Sequence, residues 1–143
     1  TMSKHYAKAH WEGNLTGGKG KYILKTSSFE GTLGFSSRFE DDKTASSPEE
    51  LIGAALASCY SMALAHALDQ AGYIPERIET AAEVILSKTD KGFSITEILL
   101  KTKGNVRGVE KEKFLETAEK TKESCPVSRA LTGTHIKLEA ELV

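Results

Sequence analysis

The stretch from Ser47 to Gly72, SPEELIGAALASCYSMALAHALDQAG, decides the architecture. Ser47 fits a helix N-cap and Pro48 the first helical position, where no N–H is needed; Glu50, three residues after the cap, completes a capping box. Gly72 offers the C-terminal stop. Between these signals the run LIGAALASCYSMALAHAL is apolar or small on nearly every face, so the helix is predicted to be buried all round. Its length and composition would also suit a membrane span. Ser58, Ser61 and His66 interrupt it, and no second apolar run accompanies it, so a central core helix is the preferred reading.

Upstream, Tyr6 to Trp11 and Lys21 to Thr26 read as short strands joined by the Gly-rich segment Gly13 to Gly20. That segment lacks the Gly-Lys-Ser/Thr ending of a phosphate loop and has no helix directly after it, which makes it a turn. A third strand is predicted over Thr32 to Phe39, followed by polar residues Glu40 to Ser46. Downstream, Ala82 to Lys88 and Phe93 to Lys103 form a predicted hairpin around Asp90-Lys91-Gly92. A second, amphipathic helix covers Val109 to Ser124, with Phe114, Ala118, Thr121 and Cys125 recurring at steps of four, three and four. Pro126 breaks it, a helical turn through Ser128 and Leu131 follows, and Ile136, Leu138, Ala140 and Leu142 alternate as a last strand. The order of elements predicts an α+β fold in a single domain over residues 1–143.

Composition excludes several classes of function. The chain carries 19 basic and 20 acidic side chains for a net charge of -1, which favours neither nucleic acid nor an anionic membrane as partner. Thr1 to His10 has no apolar run of signal-peptide type, so a cytoplasmic location is expected. In a reducing compartment the two cysteines, Cys59 and Cys125, are read as buried filler, metal ligands or redox groups rather than a permanent disulfide. Metal is disfavoured, because there is no Cys-x-x-Cys pair and the histidines, His5, His10, His66 and His135, are scattered.

Cys59 lies mid-helix in apolar company, where burial raises a thiol's pKa and leaves it inert unless a cation is near. Arginine keeps its charge in such surroundings, and of Arg38, Arg77, Arg107 and Arg129 the first lies just before the helix. Glu49 is its natural partner, since Glu50 is taken by the cap. Glu49 and Cys59 stand ten residues apart on the helix, about 15 Å of rise and roughly an 80° offset. They cannot meet along one straight helix, so Arg38 spans the gap, the helix bends, or a second subunit contributes. Spacing alone favours a surface ion pair of little consequence. Cys125 sits between a helix end and a Pro-started turn whose free N–H groups favour a thiolate, and a buried small residue is the equal alternative.

These residues resemble the OsmC/Ohr group of bacterial organic hydroperoxide reductases. SPEELIGAALASCYSMAL is similar to that group's Asn-Pro-Glu-Glu-Leu…Ala-Cys-Phe-Ser-Met-Ala-Leu helix, and ESCPVSRAL to its Cys-Pro-x-Ser-Arg/Lys-Ala motif. Ala9 to Gly13 fits an Ala-x-Trp-x-Gly opening, and Arg38-Phe39-Glu40 before the helix looks like the OsmC branch. Ser47, Tyr60 and Val127 depart from the usual Asn, Phe and aromatic residue.

The resemblance implies an OsmC-like fold, with antiparallel sheets around a long buried central helix, a second amphipathic helix and an intertwined homodimer. It implies that Cys59 attacks the peroxide, Cys125 resolves the sulfenic acid, and Arg38 with Glu49 activates the thiolate. The implied substrates are small hydroperoxides, organic ones ahead of hydrogen peroxide. The implied reductant is a dithiol, with family likeness pointing to a lipoyl group on a protein; no cofactor is implied. Two rivals come from other classes: a cysteine hydrolase using Cys59 with His66 or His135, and a non-catalytic dimeric stress or ligand-binding protein in which both cysteines are packing.

Overall fold

The structure, a computed structural model, describes all residues from Thr1 to Val143. The chain comprises two compact units, Thr1–Leu51 and Ile52–Val143.

The first unit holds an antiparallel sheet of β1 (Ala7–Glu12), β2 (Lys19–Leu24) and β3 (Phe29–Leu33), in that order. The Gly-rich segment is a turn, in which Asn14 accepts through its backbone oxygen from the Gly18 N–H at 2.9 Å and through its side chain from the Gly17 N–H at 2.8 Å. The strand predicted over Thr32 to Phe39 stops at Leu33, and Phe35–Phe39 is instead a short helix, α1. Ser37 explains the switch. Its hydroxyl accepts from the Gly34 N–H at 3.2 Å and has the Ser46 and Gly34 carbonyls at 2.6 and 2.8 Å to share its one proton, closing a turn that a strand could not make. Phe35 and Phe39, one turn apart, then pack in a tilted pair with ring centroids at 5.0 Å.

Helix α2 (Pro48–Gln70) starts where the cap signals place it and runs on into the second unit. The Glu50 N–H donates to the Ser47 hydroxyl at 3.1 Å, so half of the predicted capping box forms. The other half does not, because the Glu50 carboxylate takes the Ser46 hydroxyl at 2.7 Å.

The second unit has a sheet in the order β4 (Pro75–Thr89), β5 (Gly92–Val106), β6 (His135–Leu142). Gly92, at φ +97°, makes the tight hairpin turn between β4 and β5. The first two strands pair antiparallel, but β6 joins β5 in parallel, a departure from the all-antiparallel expectation. The chain between β5 and β6 carries α3 (Lys111–Ser124) and α4 (Pro126–Ala130), long enough for the crossover that a parallel partner requires.

Leu56, Tyr60, Leu64 and Leu68 recur every fourth residue along α2 and are fully buried, in one cluster with Ile98 and Leu100 of β5 and Phe114 and Ala118 of α3. Gly104 lets the Phe114 ring lie flat on β5, where any Cβ would collide with it. The one buried threonine facing this helix from β5, Thr102, is satisfied by Thr80 at 2.9 Å, which in turn receives the Ser61 hydroxyl at 2.8 Å. The opposite face of α2 departs from the prediction of all-round burial. Within a single chain Ala54, Ala55, Ser58, Met62 and His66 are exposed, Met62 by 73%. Four inward leucine and tyrosine positions exhaust what one small sheet and α3 can cover.

Candidate active site

Cys59 projects from the middle of α2, and Cys125 occupies the joint at which α3 ends and α4 begins. Both are free thiols, with Sγ–Sγ at 3.0 Å. The sequence separates them by 66 positions, and the helical spacing that turns Phe114, Ala118 and Thr121 inward brings Cys125 inward as well. Cys125 has extended backbone at φ −57° and ψ 128°, which ends α3, while Pro126 takes the first position of α4, where a missing N–H costs nothing.

The two thiols differ in access. Cys125 is fully buried, whereas Cys59 is partly exposed. They differ in acidity too. Burial pushes the Cys59 thiol up, and the hydrogen bond it shares with Cys125 adds to the rise, against a smaller lowering by the Val127 N–H. Burial would also raise Cys125, but its hydrogen bond with Cys59, the Ser128 N–H and hydroxyl, and the Val127 N–H outweigh it and hold this thiol below its ordinary value. Ser128 is itself buried beside this thiol.

Tyr60, the residue after Cys59, donates its hydroxyl to the Ala118 carbonyl of α3 at 2.8 Å. Neither Tyr60 nor Ser128 stands out in the sequence as more than a core or turn residue. The third position after Cys125 in Cys-Pro-x-Ser is the only signal for Ser128, since it places a hydroxyl one helical turn past the thiol.

In the first unit Arg38 of α1 meets Glu49 of α2. The Nε and Nη2 groups donate to the same carboxylate oxygen, Oε1, at 2.9 and 2.8 Å. Glu49 is only 7% exposed, and its Oε2 has no partner. This is not the loose surface pair that spacing favoured. Arg38 also lies over the Phe39 ring, 5.2 Å from its centroid. A cavity of about 310 Å³ opens beside it, walled by Trp11, Leu15, Leu33, Phe35 and Phe39, with Arg38 its sole charged side chain. The guanidinium has five N–H donors and commits two to Glu49, leaving donors for an oxygen or a sulfur anion.

His66 is exposed on α2, and the group that Cys59 meets is a second thiol rather than an imidazole. That arrangement suits two-electron thiol chemistry.

Comparison with known proteins agrees. The family model described as OsmC-like protein matches residues 40–141. Peroxiredoxin OsmC of Escherichia coli (strain K12) is 45% identical over 136 residues, covering 94% of each chain. The organic hydroperoxide resistance protein OhrB of Bacillus subtilis (strain 168) is 32% identical over 102 residues, 70% of this chain and 73% of that one. Among solved structures, an OsmC-like protein of Vibrio cholerae superposes with a TM-score of 0.77 at 19% identity, over 97% of this chain and 99% of the other. By matched length and by identity alike, the chain belongs to the OsmC-like protein family.

Proposed function

We propose that this chain is a cysteine-based peroxidase that reduces organic hydroperoxides, and hydrogen peroxide more weakly, with Cys59 as the attacking thiol and Cys125 as the resolving one. The observation that carries the reading is the thiol pair at 3.0 Å with only Cys59 open to solvent. A peroxide can reach Cys59 and not Cys125. The names of the relatives, a peroxiredoxin and an organic hydroperoxide resistance protein, support the same chemistry.

In this mechanism the Cys59 thiolate attacks the terminal oxygen of the hydroperoxide. The O–O bond breaks, the departing alkoxide takes a proton and leaves as alcohol, and Cys59 becomes a sulfenic acid. The Cys125 thiolate then attacks that sulfur, the S–O bond breaks, hydroxide leaves as water after protonation, and an S–S bond forms. A dithiol reduces the disulfide by exchange and is itself oxidised.

The acidity of the pair runs against this order, since burial raises the Cys59 thiol while Cys125 is held below its ordinary value. A cation must reverse it. Arg38, oriented by Glu49, is that cation in our reading. Its spare donors suit a sulfur anion or the charge that develops on a leaving oxygen. The apolar walls beside Arg38 favour a hydroperoxide with an apolar body over hydrogen peroxide.

The reading includes a single OsmC-like domain over residues 1–143 and a homodimer, cytoplasmic and reset by a lipoyl-type dithiol. The apolar face that α2 leaves uncovered at Ala54, Ala55 and Met62 supports a second copy as its cover.

Turnover is the test. With dihydrolipoamide present, the protein is expected to consume cumene hydroperoxide faster than hydrogen peroxide, and Cys59→Ser to abolish both reactions. Full activity in Cys59→Ser, or formation of an acyl-enzyme from an activated ester that survives in Cys125→Ser, contradicts the proposal.

A further inference from the structure

We infer that Tyr60 is a positioning residue for closure of the disulfide: its hydroxyl ties α3 to α2 so that Cys125 stays within bonding reach of Cys59. The inference rests on the thiol cycle proposed above and concerns only its second step.

The geometry is a two-point attachment. Cys59 and Tyr60 are consecutive on α2, and they meet Cys125 and Ala118, which lie on one inward face of α3, with the buried Thr121 between them. Two helical turns separate the two contacts along α3, about 10 Å. A helix held at one point can pivot about it, whereas two points fix its crossing over the partner.

The second point matters because Cys125 sits on a hinge. Its ψ of 128° breaks the helix, and the hydrogen bonds on either side run back to Thr121 and forward to Arg129, both at 3.0 Å. The position of its sulfur is therefore set by where the end of α3 lies over α2. The two sulfurs must close from 3.0 Å to about 2.0 Å when the bond forms. A displacement of the joint comparable to that difference separates a near-attack pair from an unproductive one.

The Tyr60 hydroxyl is not needed to fill space. The ring fills the core and is fully buried, and a phenylalanine ring would fill it equally. Nor does Ala118 need it, because a helical carbonyl already has its intrahelical donor and a second lone pair to spare. What the hydroxyl adds is a directional link across the helix pair, at the residue next to the reacting thiol.

The balance of the step is unchanged: Cys125 sulfur bonds to Cys59 sulfur, the S–O bond of the sulfenic acid breaks, and hydroxide leaves and is protonated. Tyr60 exchanges neither proton nor electron.

The test separates the two phases of a single turnover in Tyr60→Phe, mixing reduced protein with cumene hydroperoxide. The phase whose rate scales with peroxide concentration is expected to match the wild type. The later, peroxide-independent phase is expected to slow about five- to tenfold, the loss of one buried hydrogen bond expressed as a rate. A sulfenic-acid trap such as dimedone should then label Cys59 more heavily than in the wild type. Leu68→Val, at the far end of the same buried stripe, is the control for lost stability and should close at the wild-type rate. Closure at the wild-type rate in folded Tyr60→Phe overturns the inference, as does equal slowing of both phases. Absence of any disulfide in the wild type has a different meaning, since it sinks the thiol cycle itself.

Discussion

Replacing Arg38 by methionine separates what the Arg38–Glu49 pair does for stability from what it does for chemistry. Methionine keeps an apolar stem against Phe39 and removes the guanidinium. Glu49 is 7% exposed, both Arg38 contacts fall on Oε1, and Oε2 has no partner, so the variant strands a buried carboxylate. Breaking a fully buried pair costs about 3–5 kcal/mol, and an exposed pair only about 0.2–1 kcal/mol. The Arg38 side chain is 37% exposed, and Glu49 lies in the first turn of α2, where the helix dipole favours an anion. Both facts pull the cost towards the lower range, to about 1–2 kcal/mol. Adding Glu49→Gln removes the stranded charge and should recover more than half of that loss in urea denaturation followed by circular dichroism. The peroxidase rate should not recover. Removing a preorganised donor costs on the order of a hundredfold, and single-turnover oxidation of Cys59 should fall by at least that much in both variants. Recovery of the rate together with stability in the double variant would refute the chemical role of Arg38, as would an unchanged rate in Arg38→Met.

Cys125→Ser should stop after one turnover with a sulfenic acid on Cys59, detectable as a single added oxygen by intact mass. The same substitution removes the charge of Cys125, one of the causes that raise the Cys59 thiol, and puts in its place a hydroxyl that can donate to the Cys59 thiolate. The thiolate of Cys59 should then appear at lower pH, and the pH profile of the first turnover should move in the acid direction; a profile moved towards alkaline pH would contradict the account. Gly104→Ala drives a methyl group into the Phe114 ring and should cost about 1–3 kcal/mol. Phe114→Leu in the same chain should return part of it, and a Gly104→Ala variant as stable as the wild type would show that the close contact is absent.

Local signals legible in the sequence were those whose physics is local. Ser47 and Pro48 fix the start of α2, Asp90-Lys91-Gly92 fixes the hairpin, and the spacing of Phe114, Ala118 and Thr121 turns Cys125 inward. The strand expected over Thr32 to Phe39 is wrong beyond Leu33, because the Ser37 hydroxyl closes a helical turn that hydrophobic periodicity does not register. The parallel pairing of β6 was hidden for a related reason: strand periodicity is the same in parallel and antiparallel sheets, and only the path of α3 and α4 decides. Among the site residues, the motifs around Cys59 and Cys125 were visible, but their approach to 3.0 Å depends on how α2 packs against α3. The depth of Glu49 was likewise invisible, since spacing says nothing about burial and made the ion pair look expendable. Tyr60 reaches Ala118 through its hydroxyl and Ser128 reaches Cys125 through its N–H and hydroxyl, in contacts that no periodicity encodes.

The central claim is that two thiols at this distance form a catalytic pair. Fully reduced protein mixed with one equivalent of cumene hydroperoxide, quenched with an alkylating reagent and mapped by mass spectrometry of its peptides, tests it most directly. The account predicts a Cys59–Cys125 linkage within the same chain, one equivalent of alcohol, and no alkylatable thiol. Recovery of both cysteines as free, alkylated thiols with the hydroperoxide unconsumed would contradict it.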